Sequence, residues 1–235
     1  MRVRFEQPEA LAHERFIAAF HELARQLGME WQLHDVAKPA RVVVMVSKHG
    51  HCLNDLLYRY KIGALPMEIV GIISNHRDFY QLAASYNVPF HHLPVTADSR
   101  REAEGKAVEV IDAQKGELVI LARYMQILSP EFCKRYEGQI INIHHSFLPS
   151  FKGAKPYHQA FKRGVKLIGA TAHYVTPDLD EGPIIEQEVA RVTHAHKVED
   201  FVAAGRDIES QVLGRAVKAH IERRVLLNGA RTVVF

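Results

Sequence analysis

Only two of the 235 residues are cysteine, Cys52 and Cys133, and they stand far apart. Two such residues build no disulfide framework and match no metal-ligand spacing, so a reducing, cytoplasmic setting is expected. No apolar run reaches the roughly 18 residues a membrane span needs, and the N-terminus has no signal-peptide hydrophobic region. A strong charge of either sign is also lacking: 30 Lys and Arg stand against 27 Asp and Glu, a formal net charge of +3. The cationic residues are scattered among acidic ones, which argues against a nucleic-acid partner while still favouring a small anionic substrate. Internal repeats and low-complexity tracts are absent. What is present is 47% hydrophobic and 24% charged, the composition of a globular chain with one substantial domain, or one domain and a small appendage.

The periodicity divides the chain near Lys38-Pro39. Before it, Arg2 to Glu6 reads as a short strand, Glu9 to Leu27 as a helix and Met29 to Val36 as a second strand. Three such elements cannot bury their faces alone. From Arg41 onward, strands and helices alternate as in a doubly wound, mostly parallel α/β sheet. Val42 to Val46, Met67 to Ser74, Phe90 to Leu93, Leu118 to Leu121, Gln139 to Ile143, Ala170 to Val175 and Ile184 to Val189 read as strands. The helices between them begin near His51, Asp78, Ser99, Pro130 and Tyr157, and a closing helix runs from Val198 to Arg224.

Ligands of open parallel sheets bind beyond the carboxyl ends of the strands. Three polar segments fall at such ends: Ser47-Lys48-His49-Gly50-His51, Arg123-Tyr124-Met125 and Asn142-Ile143-His144-His145. Asn142 and His144 are two residues apart on a strand, so their side chains leave the same face. An amide can donate to an oxygen gaining negative charge, an imidazole can carry a proton near neutral pH, and a carboxylate such as Asp180 can orient that imidazole. These residues can also be read blandly, Asn142 and His144 as strand-end groups satisfying the backbone and Asp180 as a turn residue before Glu181-Gly182-Pro183. The fifteen histidines invite a metal, but His49/His51 and His194/His196 lack a second Cys or a carboxylate cluster to complete a site. The adjacent pairs His91-His92 and His144-His145 should point to opposite strand faces, so no metal is expected.

The string NIHHSFLPSFKGAKPYHQA, with LARYMQILSP before it and GATAHYVTPDLDEGPIIEQ after it, resembles the formyltransferase fold family that uses 10-formyltetrahydrofolate. Within that family it is most similar to the formyltetrahydrofolate deformylase branch. The resemblance covers about Arg41 to Phe235. It implies a Rossmann-like catalytic domain in which Asn142, His144 and Asp180 hold the catalytic positions. It also implies that Met125, Gln126, Ile127 and Leu128, with His173 and the loop from Thr176 to Asp180, enclose the pterin ring of a folate substrate, with no separate cofactor.

Related transferases for glycinamide ribonucleotide carry a glycine-rich loop after the first strand, whose backbone amides cradle the acceptor's phosphate. Here Lys48 and His49 occupy that loop, and His145 follows the catalytic histidine where transferases tend to have Pro or Ala. Both departures point to water as formyl acceptor, with His145 and Lys48 on the acceptor side. Phosphoribosylglycinamide formyltransferase and a folate-binding pseudoenzyme remain the alternatives. The branch also implies an N-terminal ACT-type domain, and residues 1–37 resemble only its last β-α-β portion, Met1 standing near the start of its third strand. A homo-oligomer is expected on the same grounds, as are a role in one-carbon metabolism and a supply of formate for purine synthesis.

Overall fold

The computed structural model describes residues 1–6, 13–149 and 155–235. The chain forms two compact units, Met1–Lys38 and Pro39–Phe235.

In the first unit, helix α1 spans His13–Gln26; the expected start near Glu9 lies outside the described residues. Phe16 and Phe20, four residues apart on one helical face, bring their rings to 5.9 Å, and Phe20 meets Trp31 edge-on at 4.9 Å. Residues 1–6 and 29–36 form no strand, which corrects the expected β-α-β reading of this segment. The reason is that an isolated pair of strands is marginal in water, and among the described residues the unit offers no further sheet edge to pair with. Aromatic packing on the helix is what organises it instead.

In the second unit, a seven-stranded sheet is built from β1 (Ala40–Val46), β2 (Met67–Ser74), β3 (Phe90–His92), β4 (Leu118–Leu121), β5 (Ile140–His144), β6 (Leu167–Tyr174) and β7 (Ile184–Arg191). Its order is β3-β2-β1-β4-β5-β6-β7. The first five strands are parallel and β6 and β7 are antiparallel additions, so the expected mostly parallel, doubly wound sheet is present. Alternation along β1 shows why the strands are continuously apolar. Val42, Val44 and Val46 face one core, shared with α2 (His51–Lys61), α6 (Pro156–Arg163) and α7 (Val198–Ile221). Val43 and Met45 face the other, shared with α4 (Arg100–Ala113) and α5 (Pro130–Arg135). A strand covered on both faces has no polar side. The remaining helix, α3, spans Tyr80–Ser85.

The expected closing helix ends at Ile221 rather than Arg224, and a separate hairpin follows, β8 (Val225–Asn228) and β9 (Arg231–Val234). Its Asn228-Gly229 turn between apolar runs is the usual signal for a two-residue hairpin loop. Among the described residues, no helix is long and apolar enough to cross a membrane.

Because β1 passes to β2 on one side while β4 lies on its other side, the chain reverses direction across the sheet between β1 and β4, where a crevice opens. Ser47, just after β1, bridges that crevice. Its amide donates to the Arg123 carbonyl at 3.2 Å, its hydroxyl donates to Asn75 at 2.7 Å, and it accepts from the Met125 amide at 2.9 Å. At the far end of the same segment, Ser129 caps α5 by accepting from the Phe132 amide at 3.1 Å, with Pro130 at the first helical position. The stretch Met125–Leu128 is thus tethered at both ends.

Candidate active site

Strand β5 delivers Asn142 and His144 to one face, as the spacing requires. Antiparallel pairing with β6 then sets His173 directly opposite Asn142, close enough for side chains to meet. The Asn142 amide nitrogen donates to His173 Nε2 at 3.2 Å, while His173 Nδ1 donates to the Tyr174 carbonyl at 2.8 Å. Burial holds His173 below the ordinary imidazole range, so it stays neutral, with its proton on Nδ1 and a lone pair on Nε2. A bulge in β6 between Ala172 and His173 helps to aim the ring, a common device beside functional sites.

The β6–β7 connection supplies Asp180. Its Oδ1 lies 3.2 Å from His144 Nδ1 and 3.8 Å from His173 Nε2. Asp180 is in the left-handed region, at φ 57°. The loop is pinned by Gly182, where any Cβ would stand 1.7 Å from the Tyr174 carbonyl oxygen, and by the Tyr174 amide donating to the Pro183 carbonyl at 2.9 Å. Burial by itself would raise the Asp180 carboxyl, but the hydrogen bond from His144 outweighs it and, with the imidazoles around it, holds the group below the usual carboxylate value. Asp180 is therefore an anion facing the Nδ1 edge of His144. The other nitrogen, His144 Nε2, is buried and has no hydrogen-bond partner.

Asn142, His144 and Asp180 line one cleft together with Met125, Gln126, Ile127, Leu128, His145, His173 and Thr176. Met125 and Ile127 remain more than half exposed, giving the cleft an apolar rim suited to a flat ring. Lys48 does not line it and lies exposed on the loop after β1. Residues 150–154 of the motif lie outside the described residues. His145 departs from the expected alternation: β5 ends at His144, so the period of two no longer applies, and the two rings lie 5.3 Å apart.

A further buried charged group lies beside the cleft, one that the sequence motifs do not mark. Glu209 of α7, 1% exposed, accepts from Tyr157 Oη at 2.7 Å and pairs with His51 Nε2 at 2.8 Å, and Arg123 Nε lies 3.3 Å from its Oε2. Burial opposes its ionisation, but the His51 hydrogen bond, the Arg123 charge and the Tyr157 hydroxyl hold it below the usual value. The signal was present: a single acid in the stripe Gly205, Ile208, Glu209, Val212, Leu213, Ala216, Val217, all buried, is a charge on the wrong face of a helix and needs partners. His51, Cys52 and Glu209 also bring ligand atoms within 4.8 Å of one another, so His51 has a Cys and a carboxylate beside it, contrary to the sequence expectation. Yet both oxygens of Glu209 are already engaged, a guanidinium lies alongside, and burial pushes the Cys52 thiol far up. That is the chemistry of a hydrogen-bonded ion cluster and does not suit a cation.

A family model described as formyl transferase matches residues 40–217. A formyltetrahydrofolate deformylase of Corynebacterium sp. (strain P-1) is 54% identical over 215 residues, spanning 92% of this chain and 75% of that protein. The chain belongs to the formyltetrahydrofolate deformylase family. A crystal structure of the deformylase from Burkholderia mallei, 58% identical, superposes with a TM-score of 0.93 over 97% of this chain and 82% of that one. Glycinamide ribonucleotide transformylase 1 from Symbiobacterium toebii shares the fold more distantly, at 29% identity and a TM-score of 0.79 over 88% of this chain and 99% of that one. The deformylase assignment is thus favoured over the transferase.

Proposed function

We propose that this deformylase hydrolyses 10-formyltetrahydrofolate to tetrahydrofolate and formate, with Asn142, His144 and Asp180 carrying the chemistry. The observation that carries the mechanism is the pairing of His144 Nδ1 with anionic Asp180, which leaves Nε2 of a buried imidazole unpartnered in the cleft. Nε2 takes a proton from water as the water oxygen bonds to the formyl carbon. One N–H of Asn142 is held by His173, and the second receives the oxyanion of the tetrahedral intermediate. The intermediate collapses by breaking the bond from carbon to N10, which receives the proton from Nε2. The acid released ionises, so the net products are tetrahydrofolate, formate and one proton. Water and the folate suffice, and the steps call on no separate cofactor.

The pterin ring is assigned to the segment Met125–Leu128 and to the loop carrying Thr176 and Asp180, supported by their placement around the cleft. His145 lies on the acceptor side, next to His144. Formate release in the absence of any amine acceptor tests the activity. Turnover that requires an amine would return the reading to a transferase, and folate binding with no turnover would make the chain a pseudoenzyme. Two free, buried cysteines support a reducing cytosol. The exposed Leu227, Val233, Val234 and Phe235 support self-association into a homo-oligomer, which a monomeric mass by light scattering would overturn.

A further inference from the structure

Arg123 stands at the crevice between β1 and β4, immediately beyond the carboxyl end of β4. Its backbone is in the left-handed region, at φ 64°, a conformation disfavoured for any residue with a Cβ and retained chiefly where surroundings over-determine it. The side chain is 9% exposed and belongs to the wall of the cleft that holds Asn142, His144 and His145. Both Nε and Nη1 are buried without a hydrogen-bond acceptor, although Nε lies 3.3 Å from Glu209 Oε2. Buried guanidinium N–H groups are almost always satisfied.

Glu209 accounts for the position of the guanidinium but not for its spare donors. The carboxylate is already engaged by His51 and Tyr157. Tyr157 reaches it because Gly205, one turn before Glu209 on α7, leaves room for the ring: a Cβ there would stand 2.2 Å from Tyr157 Cζ. The cluster fixes a cation beside the acceptor side of the cleft and leaves part of its hydrogen-bonding edge free. The cation also contributes, after burial, to the low basicity of His145, which places its field at that side.

We propose that Arg123 is a binding site for the carboxylate of formate, held in position by Glu209, His51 and Tyr157. The inference rests on the hydrolytic reading above. When water is the acceptor, the one-carbon product leaves as a monoanion, whose charge the guanidinium balances and whose oxygen can accept from the unpartnered Nη1. When an amine is the acceptor, the product is a neutral amide that offers a cation far less. As the bond to N10 breaks and the acid loses its remaining proton to solvent, the negative charge falls next to Arg123. Glu209 is a positioning residue that acts through it.

The test is direct binding of 13C-formate, read by NMR line broadening on the full chain saturated with tetrahydrofolate. Arg123→Gly suits it, since glycine accepts the left-handed backbone and removes only the side chain. Wild type should broaden the signal saturably, with displacement by nitrate, a planar monoanion, and not by neutral formamide. Arg123→Gly should weaken binding at least tenfold, while Arg123→Lys keeps part of it because the charge remains. Glu209→Gln should weaken formate binding while leaving the Kd for tetrahydrofolate unchanged, which a merely structural role would not do. Unchanged formate binding in Arg123→Gly and Arg123→Lys overturns the proposal, as does wild type that releases formate in turnover yet binds none. If the folate glutamate carboxylate is the true ligand, Arg123→Gly will weaken tetrahydrofolate and leave formate alone, which also overturns it. Should wild type bind formate through Arg123 but release none from 10-formyltetrahydrofolate, the anion site stands and the hydrolytic reading falls.

Discussion

The amide nitrogen of Asn142 lies 3.2 Å from His173 Nε2, and that bond decides which way the amide is turned in the cleft. Because His173 gives its Nδ1 proton to the Tyr174 carbonyl, Nε2 can only accept, so Asn142 must present nitrogen to it. Replacing His173 with Ala frees the amide to rotate. The expected result is a kcat about tenfold lower with little change in KM, since a transition-state contact is lost and ground-state binding is kept. Asn142→Ala should cost about 10²–10³ in kcat. The double variant should be no worse than Asn142→Ala alone; strictly additive losses would show that His173 acts by another route.

Asp180→Asn keeps the shape of the contact with His144 Nδ1 but removes its negative charge. The imidazolium formed when His144 takes the proton of water then loses its counter-charge. Formate release should fall by at least 10², with the tetrahydrofolate Kd little affected. Near-normal turnover in this variant would remove Asp180 from the chemistry.

Gly182 is where the Asp180 loop meets β6. A Cβ at 1.7 Å from the Tyr174 carbonyl oxygen meets backbone, which cannot swing aside, so the loop itself must move. Gly182→Ala is expected to cost about 1–3 kcal/mol of stability in urea titrations. It should also lower activity well beyond that loss, because Asp180 moves with the loop. Wild-type activity in a destabilised variant would mean that the loop tolerates displacement.

Acid should destabilise the folded protein before the carboxylates titrate. Burial, then the Arg123 charge, pushes His145 down to about 3 in the folded state, and burial lowers His173 as well. Unfolded, both titrate near about 6.5. Below that value the unfolded chain binds more protons than the folded one, so stability is full above about pH 6.5 and declines as pH falls through the window. At about pH 5, His145 alone should account for roughly 2 kcal/mol. His145→Gln should flatten the decline between about pH 7 and 5; urea midpoints as acid-sensitive as those of wild type would refute the assignment.

Much of this architecture is local in origin. The Val-rich run at Val42–Val46 and the apolar run at Leu118–Leu121 have the pattern of strands covered on both faces, and a two-residue spacing put Asn142 and His144 on one side wherever β5 lay. Motif order identified the family from the same stretch. The N-terminal strands failed because extended segments without a sheet to join leave their backbone groups unpaired, which no local pattern reports. The final hairpin carries its own local signal in Asn228-Gly229, but the helical pattern of α7 runs up to its edge and gives no end point.

What tertiary structure alone decided is who stands beside whom. The antiparallel register of β5 and β6 set His173 against Asn142. The pinned loop brought Asp180 to His144, and the packing of α7 carried Glu209 to His51, 158 residues away in sequence. Hydrogen bonds and charges depend on distances of a few ångströms, whereas periodicity records only which face of an element is buried. The sequence therefore determined most elements of the sheet and the chemical identity of the candidate site groups. The tautomer of His173, the counter-charge of His144 and the unsatisfied guanidinium of Arg123 exist only once the chain has closed on itself.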